Sequence, residues 1–294
     1  MKNFRFVENR KAVFSISIAL CAISLLMLLF RGFNVGIDFK GGTIANIELH
    51  QAFETADVKA IVDKFDTDAT ITTGGDAETI AVVSSSKDFS ETEKQEMFNA
   101  FKEKYNLTEV DLLSFNNISA TIGRDLQMQA LYASALTIAC MLLYISIRFR
   151  FWYGLAAVVC LLHDILIVLG FYSLFQLPVN SSFIAAILTI LGYSINNVII
   201  VFDRVRENLK KYYPSLEGMV NESVASSWTR SVNTTMTTVI AVFAIFVFGV
   251  AAVREFILPM LIGFAAGFYS SVFVAAPLWY VFDGKRHAAI IRVP

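Results

Sequence analysis

Residues 151–177 read FWYGLAAVVCLLHDILIVLGFYSLFQL. Within these 27 residues the only acid and the only imidazole are the adjacent, central Asp164 and His163. The hydrocarbon core of a bilayer, ~30 Å thick, is crossed by a helix of about 20 mostly apolar residues. This stretch is long enough, and it is apolar on every side, which suits lipid rather than the one-sided burial of a helix in water. Moving outward, five more runs have the same character: Ala12 to Phe30, Leu126 to Ile147, Phe183 to Phe202, Val232 to Val253 and Phe256 to Phe282. The whole chain agrees. Of its 294 residues 56% are apolar and only 17% charged, against roughly 25% charged in soluble domains, and the mean hydropathy is +0.59. The expected fold class is therefore an α-helical polytopic membrane protein with six transmembrane helices.

The segment between the first two runs breaks the pattern. From Gly32 to Asp125 there are 17 acidic and 8 basic residues, a net charge of −9, while the remainder carries +8. Basic residues in short loops mark the cytoplasmic side. Lys2, Arg5, Arg10 and Lys11 precede the first run, and Arg148 and Arg150 follow the second. Arg204, Arg206, Lys210, Lys211 and Arg230 lie between the fourth and fifth, and Lys285, Arg286 and Arg292 follow the sixth. The remaining connections, 176–180 and 254–255, hold one basic residue. Both termini are thus expected in the cytoplasm and the acidic insert outside. The basic runs serve topology, with no nucleic-acid partner. The first run is long and lacks a small-x-small site after it, so it reads as an uncleaved anchor. The division expected is 1–31 (N-terminus and first helix), 32–125 (external domain), 126–282 (remaining five helices) and 283–294 (cytoplasmic tail). Cys21, Cys140 and Cys160 fall within spans, read as small buried hydrophobes without metal-ligand spacing.

The insert alternates in a way that suggests a small α/β domain. Thr43–His50, Ala69–Thr73, Thr79–Ser85 and Val110–Phe115 read as strands, with Gly74-Gly75-Asp76 as a turn. Thr55–Phe65 and Ser90–Tyr105 read as helices; Ser90 and Glu93 form a capping box, and Met97, Phe98, Phe101 and Tyr105 share one face. The order β-α-β-β-α-β is that of a ferredoxin-like domain. It contains no nucleophile–base arrangement, so its expected work is contact.

Polar groups inside spans are costly and usually face the bundle interior. His163 and Asp164 lie mid-span. Gly192-Tyr193-Ser194-Ile195-Asn196-Asn197 occupies the second half of the fourth span. Arg230, Asn233, Thr234, Thr237 and Thr238 recur at helical spacing and are expected to form one stripe that can face Asn196 or Asn197; back-bonding of the hydroxyls to their own helix is the alternative. Gly263, Gly267, Ser271 and Ala275, four apart, form a small-residue stripe suited to close helix packing.

In this order the chain resembles the SecF branch of the SecD–SecF protein-export family, within the resistance–nodulation–division superfamily. The resemblance rests on Gly36-Ile37-Asp38-Phe39-Lys40-Gly41-Gly42-Thr43, Ile122-Gly123-Arg124-Asp125-Leu126, Ile147-Arg148-Phe149, His163-Asp164, Gly192–Asn208, Arg230-Ser231-Val232-Asn233-Thr234 and Gly267-Phe268-Tyr269-Ser270-Ser271. It implies half of a superfamily transporter in the bacterial cell (inner) membrane. SecD would be its partner, with the SecYEG translocon, YajC or YidC, and a translocating unfolded polypeptide. It implies no cofactor, only a transmembrane H⁺ or Na⁺ gradient; one charge crossing 100 mV is worth ~2.3 kcal/mol. The family usually places Asn-Asp where this chain has Asn196-Asn197, and an amide cannot titrate. Three outcomes follow. SecD carries the only titrating group, Asp164 substitutes, or Asn197 and the hydroxyls form a Na⁺ site or a structural contact. The first is the expectation, under which Asp164→Asn leaves export intact. Arg230 matches the family's functional Arg, and its usual partner is missing. Two other classes compete. One is half of a small-molecule or lipid exporter, for which ~94 residues of insert give little room for a pocket of several hundred Å³. The other is an intramembrane enzyme using His163–Asp164, which no nucleophile supports and which adjacent helix positions disfavour.

Overall fold

The structure, a computed structural model, describes residues 5–74, 79–148, 151–249 and 251–291. Lys2, Gly75, Asp76, Phe149, Arg150 and Arg292 lie outside those residues. The chain begins with a long helix, α1 (Arg10–Arg31), and passes into an insert: β1 (Asn34–Val35), α2 (Ile37–Lys40), β2 (Gly42–Glu48), α3 (Thr55–Val62), β3 (Thr70–Gly74), β4 (Ile80–Ser85), α4 (Glu91–Tyr105), a single 3₁₀ turn (Glu109–Asp111) and β5 (Leu112–Ile118). The bundle follows: α5 (Ala120–Arg148), α6 (Phe151–Phe175), β6 (Pro178–Val179), α7 (Ser181–Asn208), α8 (Leu216–Phe248) and α9 (Ala251–Tyr269), continued by a π turn (Ser270–Ala275) into α10 (Ala276–Ile291). Among the described residues six helices are long and apolar enough to cross a membrane.

Several of these differ from the sequence boundaries, among them α5, which begins at Ala120, and α7, which runs to Asn208; α8 differs most, for local reasons. α8 begins at Leu216, sixteen positions before Val232, because Ser215 caps it by accepting the Gly218 N–H at 3.0 Å. Its first turns bury Leu216, Met219 and Val220 along one face, which an all-round apolar window overlooks. α8 stops at Phe248 rather than Val253, where Gly249 leaves helical geometry. The span that follows is one rod, Val253–Gly284, with Pro259 inside α9.

The insert sheet has the order β3-β4-β2-β5 and is antiparallel throughout. Ala45, Ile47 and Val83 from the sheet bury against Val58, Ile61 and Val62 of α3 and Met97, Phe98 and Phe101 of α4. α4 is held by the reciprocal capping box of Ser90 and Glu93.

Both ends of the bundle are tied by polar contacts, and these alternate as six crossings require. At the insert end β1 pairs in parallel with β6, the Gly36 N–H donates to the Val179 carbonyl at 2.8 Å, and Arg31 donates to the Leu174 carbonyl at 2.6 Å. At the other end the Val7 N–H donates to Asn221 Oδ1 at 3.0 Å, and Arg206 donates to the Arg148 carbonyl at 3.1 Å. The N-terminal segment, the α5–α6 connection and the α7–α8 connection therefore share one end.

Candidate functional site

Asp164 stands at the centre of the bundle, 1% exposed. His163 Nδ1 lies 2.9 Å from its Oδ1. On Oδ2 it accepts from Ser194 Oγ of α7 at 2.5 Å and from Ser270 Oγ of the π turn at 2.9 Å. One carboxyl thus joins three elements. Adjacent helix positions are disfavoured as partners, yet His163 and Asp164 meet through the Nδ1–Oδ1 contact and both are buried. His163 also stacks on Tyr269, centroids 5.9 Å apart, and its buried Nε2 has no hydrogen-bond partner.

Asn196 and Asn197 part company. Asn197 is wholly buried, and neither its Oδ1 nor its Nδ2 finds a partner. Asn196 faces outward. The expected stripe on α8 faces outward as well: Arg230, Asn233 and Thr237 are exposed and Thr234 half-buried. Thr237 bonds back to the Asn233 carbonyl and Thr238 to that of Thr234, at 2.9 Å. The buried polar face of α8 is a different one, Ser223, Ser227, Ser231 and Thr235, spaced four apart. Its i, i+4 spacing stands plainly in the sequence. In an apolar run short serine hydroxyls are less conspicuous than arginine or asparagine.

The stripe of small residues lies where α9 meets α7. A Cβ on Gly263 would come within 2.5 Å of Ile190 side-chain atoms, and one on Gly267 within 3.2 Å of Ser194 and 3.5 Å of Asp164 Oδ2. Gly267 therefore leaves the room in which the Ser194–Asp164 bond is made. Ser271 is buried and bonds back to the Phe268 carbonyl at 3.0 Å. Of the cysteines only Cys160 is buried; Cys21 is half-buried, and Cys140 faces outward. Outward positions in a bilayer contact lipid, so an exposed cysteine there is no anomaly.

Asp38, Gly41 and Gly42 lie at the joint between insert and bundle. Asp38 Oδ2 accepts the Ser181 N–H at 2.9 Å, so a residue of the insert closes the first turn of α7, the helix that carries Ser194 and Asn197. An acidic group at a helix N-terminus also complements the helix dipole. Gly42 has φ of +136°, and any Cβ there would collide with the Ser85 carbonyl. Gln127 Nε2 donates to the Phe39 carbonyl at 2.8 Å, which ties α5 to the same joint.

This joint and bundle are found elsewhere. Residues 97–285 match the model of the C-terminal region of the protein export membrane proteins SecD/SecF, and residues 27–52 match the SecD/SecF GG motif. The chain belongs to the SecD/SecF family. It is 34% identical to the protein translocase subunit SecF of Petrotoga mobilis, over 95% of each chain. It is 36% identical to that of Acidaminococcus fermentans, over 97% of this chain and 99% of the other. The crystal structure of SecDF, a translocon-associated membrane protein from Thermus thermophilus, superposes with a TM-score of 0.84 at 30% identity; it covers 96% of this chain, which spans 39% of that one. The SecD/SecF motif segment contains Asp38, Gly41 and Gly42, and the larger match contains Asp164, Asn197 and the whole buried face of α8.

Proposed function

We propose that the chain is a SecF-like accessory subunit of the Sec protein translocase, paired with SecD and not itself a catalyst. The observation that carries this is the match over nearly the full length to subunits named SecF. A SecDF fusion in Bacillus subtilis, 34% identical over 96% of this chain, and the SecDF crystal structure support SecD as the partner. The end carrying the basic loops is cytoplasmic by the positive-inside rule, in the bacterial inner membrane. The insert is then an extracytoplasmic, ferredoxin-like domain spanning about residues 32–125, the order β3-β4-β2-β5 being the one that fold uses. It meets the polypeptide leaving SecYEG, with YajC or YidC as neighbours.

A transmembrane ion gradient supplies the work. Movement in the bundle reaches the insert through the joint. β1 pairs with β6, Asp38 holds the start of α7, and Gln127 holds Phe39, so a shift of α7 along its axis pulls directly on the chain that enters β2.

The experiment is co-purification with SecD, followed by secretion of a reporter in cells depleted of the native subunit. Recovery of a stoichiometric pair and restored secretion support the reading. Failure to pair, with a lipid or small molecule retained between the helices, replaces it with the exporter.

A further inference from the structure

α7 and α8 each carry buried polar side chains between the level of Asp164 and the end that carries the termini: Ser194, Asn197 and Asn208 on α7, and Ser223, Ser227, Ser231 and Thr235 on α8. Ser194 donates to Asp164. One turn further along α7 is Asn197, with both amide atoms unsatisfied. At the far end Asn208 Nδ2 donates to Ser223 Oγ of α8 at 2.9 Å. That bond fixes the register of two antiparallel helices. Eleven residues back along α7 from Asn208 is Asn197, and eleven forward along α8 from Ser223 is 234. At ~1.5 Å per residue both lie about 16 Å from the anchoring bond. Ser231 and Thr235 flank that level on the buried face, and neither hydroxyl has a partner. This is unusual for a helix. Serine and threonine ordinarily bond back to their own carbonyls, as Ser223, Ser227, Thr237 and Thr238 do here. Buried polar groups left unsatisfied in a cluster, with both donors and acceptors, mark a place for ordered water. The outer end is open to solvent, since Lys211 Nζ reaches Asn208 Oδ1 at 3.0 Å.

We propose that Asp164 is the group through which this chain takes up and releases a proton, and that the file Asn197–Thr235–Ser231–Ser227–Asn208 is its water-lined access from the termini end. The Oδ2 position suits both states of the acid. Ser194 and Ser270 donate to the carboxylate and, by rotating their hydroxyls, accept from the carboxylic acid. Among the described residues no Lys or Arg pairs with Asp164; its one ionic neighbour is His163. The other titratable groups facing it are the thiols of Cys21 on α1 and Cys160 on α6, and the Tyr269 phenol beyond the imidazole. His163 also borders an apolar groove of about 560 Å³ between α1 and α6, lined by Phe14, Cys21 and Leu25. The π turn that supplies Ser270 fits the habit of such turns to occur at functional positions. In this arrangement the amide at 197 is a neutral part of the path, which carries protons through water without trapping them. In this reading it is part of the path rather than a lost proton site, and SecD need not carry the only titrating group.

The role in export rests on the function proposed above; the proton step does not. The test uses the complex with SecD in sealed vesicles, without preprotein. Infrared difference spectra across a pH jump report the carboxylic-acid band, and an internal pH dye reports proton flux. Asp164→Asn is expected to remove one carboxyl band and most of the flux while the pair still co-purifies. Asn197→Leu, which plugs the file, is expected to keep the band and slow its appearance. Asn197→Ser restores the rate, and the outward Thr237→Val changes neither. Unchanged band and flux in Asp164→Asn would overturn the assignment, and an unchanged rate in Asn197→Leu would overturn the path. Either result is compatible with intact pairing and export, so it would leave the SecF-like function standing.

Discussion

The insert between α1 and α5 and the bundle around Asp164 belong to one chain, but they fold against different solvents. In the insert, apolar side chains mark the core. Phe98 and Phe101 are buried beneath the sheet, while the polar face of α4 meets water. In the bundle apolar side chains lie on both sides. Leu20, Leu29, Phe30, Leu136 and Phe243 face outward, while the interior holds Phe183, Ile190, Phe202 and Trp279 together with Ser194, Asn197, Ser231, Ser270 and Asp164. Lipid tails are as apolar as leucine, so burying leucine between membrane helices gains little; small and polar residues decide which faces meet.

The sharpest test of this contrast lies in the insert. Phe101→Ala should destabilise it by about 3–5 kcal/mol, the usual cost of emptying a buried aromatic site. Hydrogen exchange on the full chain in nanodiscs should show faster exchange in β2 and β4, with the bundle unchanged. If the bundle loosened equally, the two regions would form one cooperative unit and the comparison would fail.

In the bundle the equivalent injury is an addition. Gly263→Ala places a methyl group against Ile190 and should cost about 1–3 kcal/mol by overpacking, read as a lower melting temperature in detergent. Trimming an outward Leu136 to Ala should cost far less.

That contrast explains what the sequence did and did not disclose. The strands, the helices and the Ser90–Glu93 box of the insert were legible because in water each side chain declares its side by its polarity. The six spans were legible from length alone. The faces of α8 were not. Arg230, Asn233 and Thr237 attracted attention as polar groups in an apolar run, yet they face outward, and the modest Ser223–Thr235 repeat turned inward. Asn196 and Asn197 were equivalent as letters; only the packing of α8 and α9 against α7 chose between them. Ser194 and Ser270 were invisible as partners of Asp164 because they come from separate helices. The joint at Asp38 was recognisable as a motif, but its bond to the start of α7 joins residues 143 positions apart.

Smaller effects sharpen the picture of the insert. Ser90→Ala removes the oxygen that accepts the Glu93 N–H and should cost about 1 kcal/mol, visible as fraying of the first turn of α4. Thr237→Val, on the outward face of α8, should stay within about 0.5 kcal/mol, as surface changes do, when the melting temperature of the complex is compared. A large loss there would show that the outward stripe is an interior after all, covered by a partner.

The smallest effect is a pH dependence confined to one corner of the insert. His50 Nε2 meets Asp111 Oδ1 at 2.7 Å. The hydrogen bond to Asp111 raises the imidazole above its ordinary 6.5. Asp111 is lowered to about 2, first by the Thr108 N–H and then by His50. A raised imidazole contributes stability that is complete below 6.5 and lost as pH rises through the folded value. A lowered carboxyl contributes stability present above its unfolded value of 3.8 and lost as pH falls towards 2. The 3₁₀ turn at Glu109–Asp111 should therefore be most protected from hydrogen exchange between about pH 4 and 6.5. His50→Gln should abolish the alkaline slope. It should leave most of the acid slope, because the Thr108 bond, the larger cause, survives. Loss of both slopes in His50→Gln would mean that the imidazole, not the capping N–H, holds Asp111 ionised.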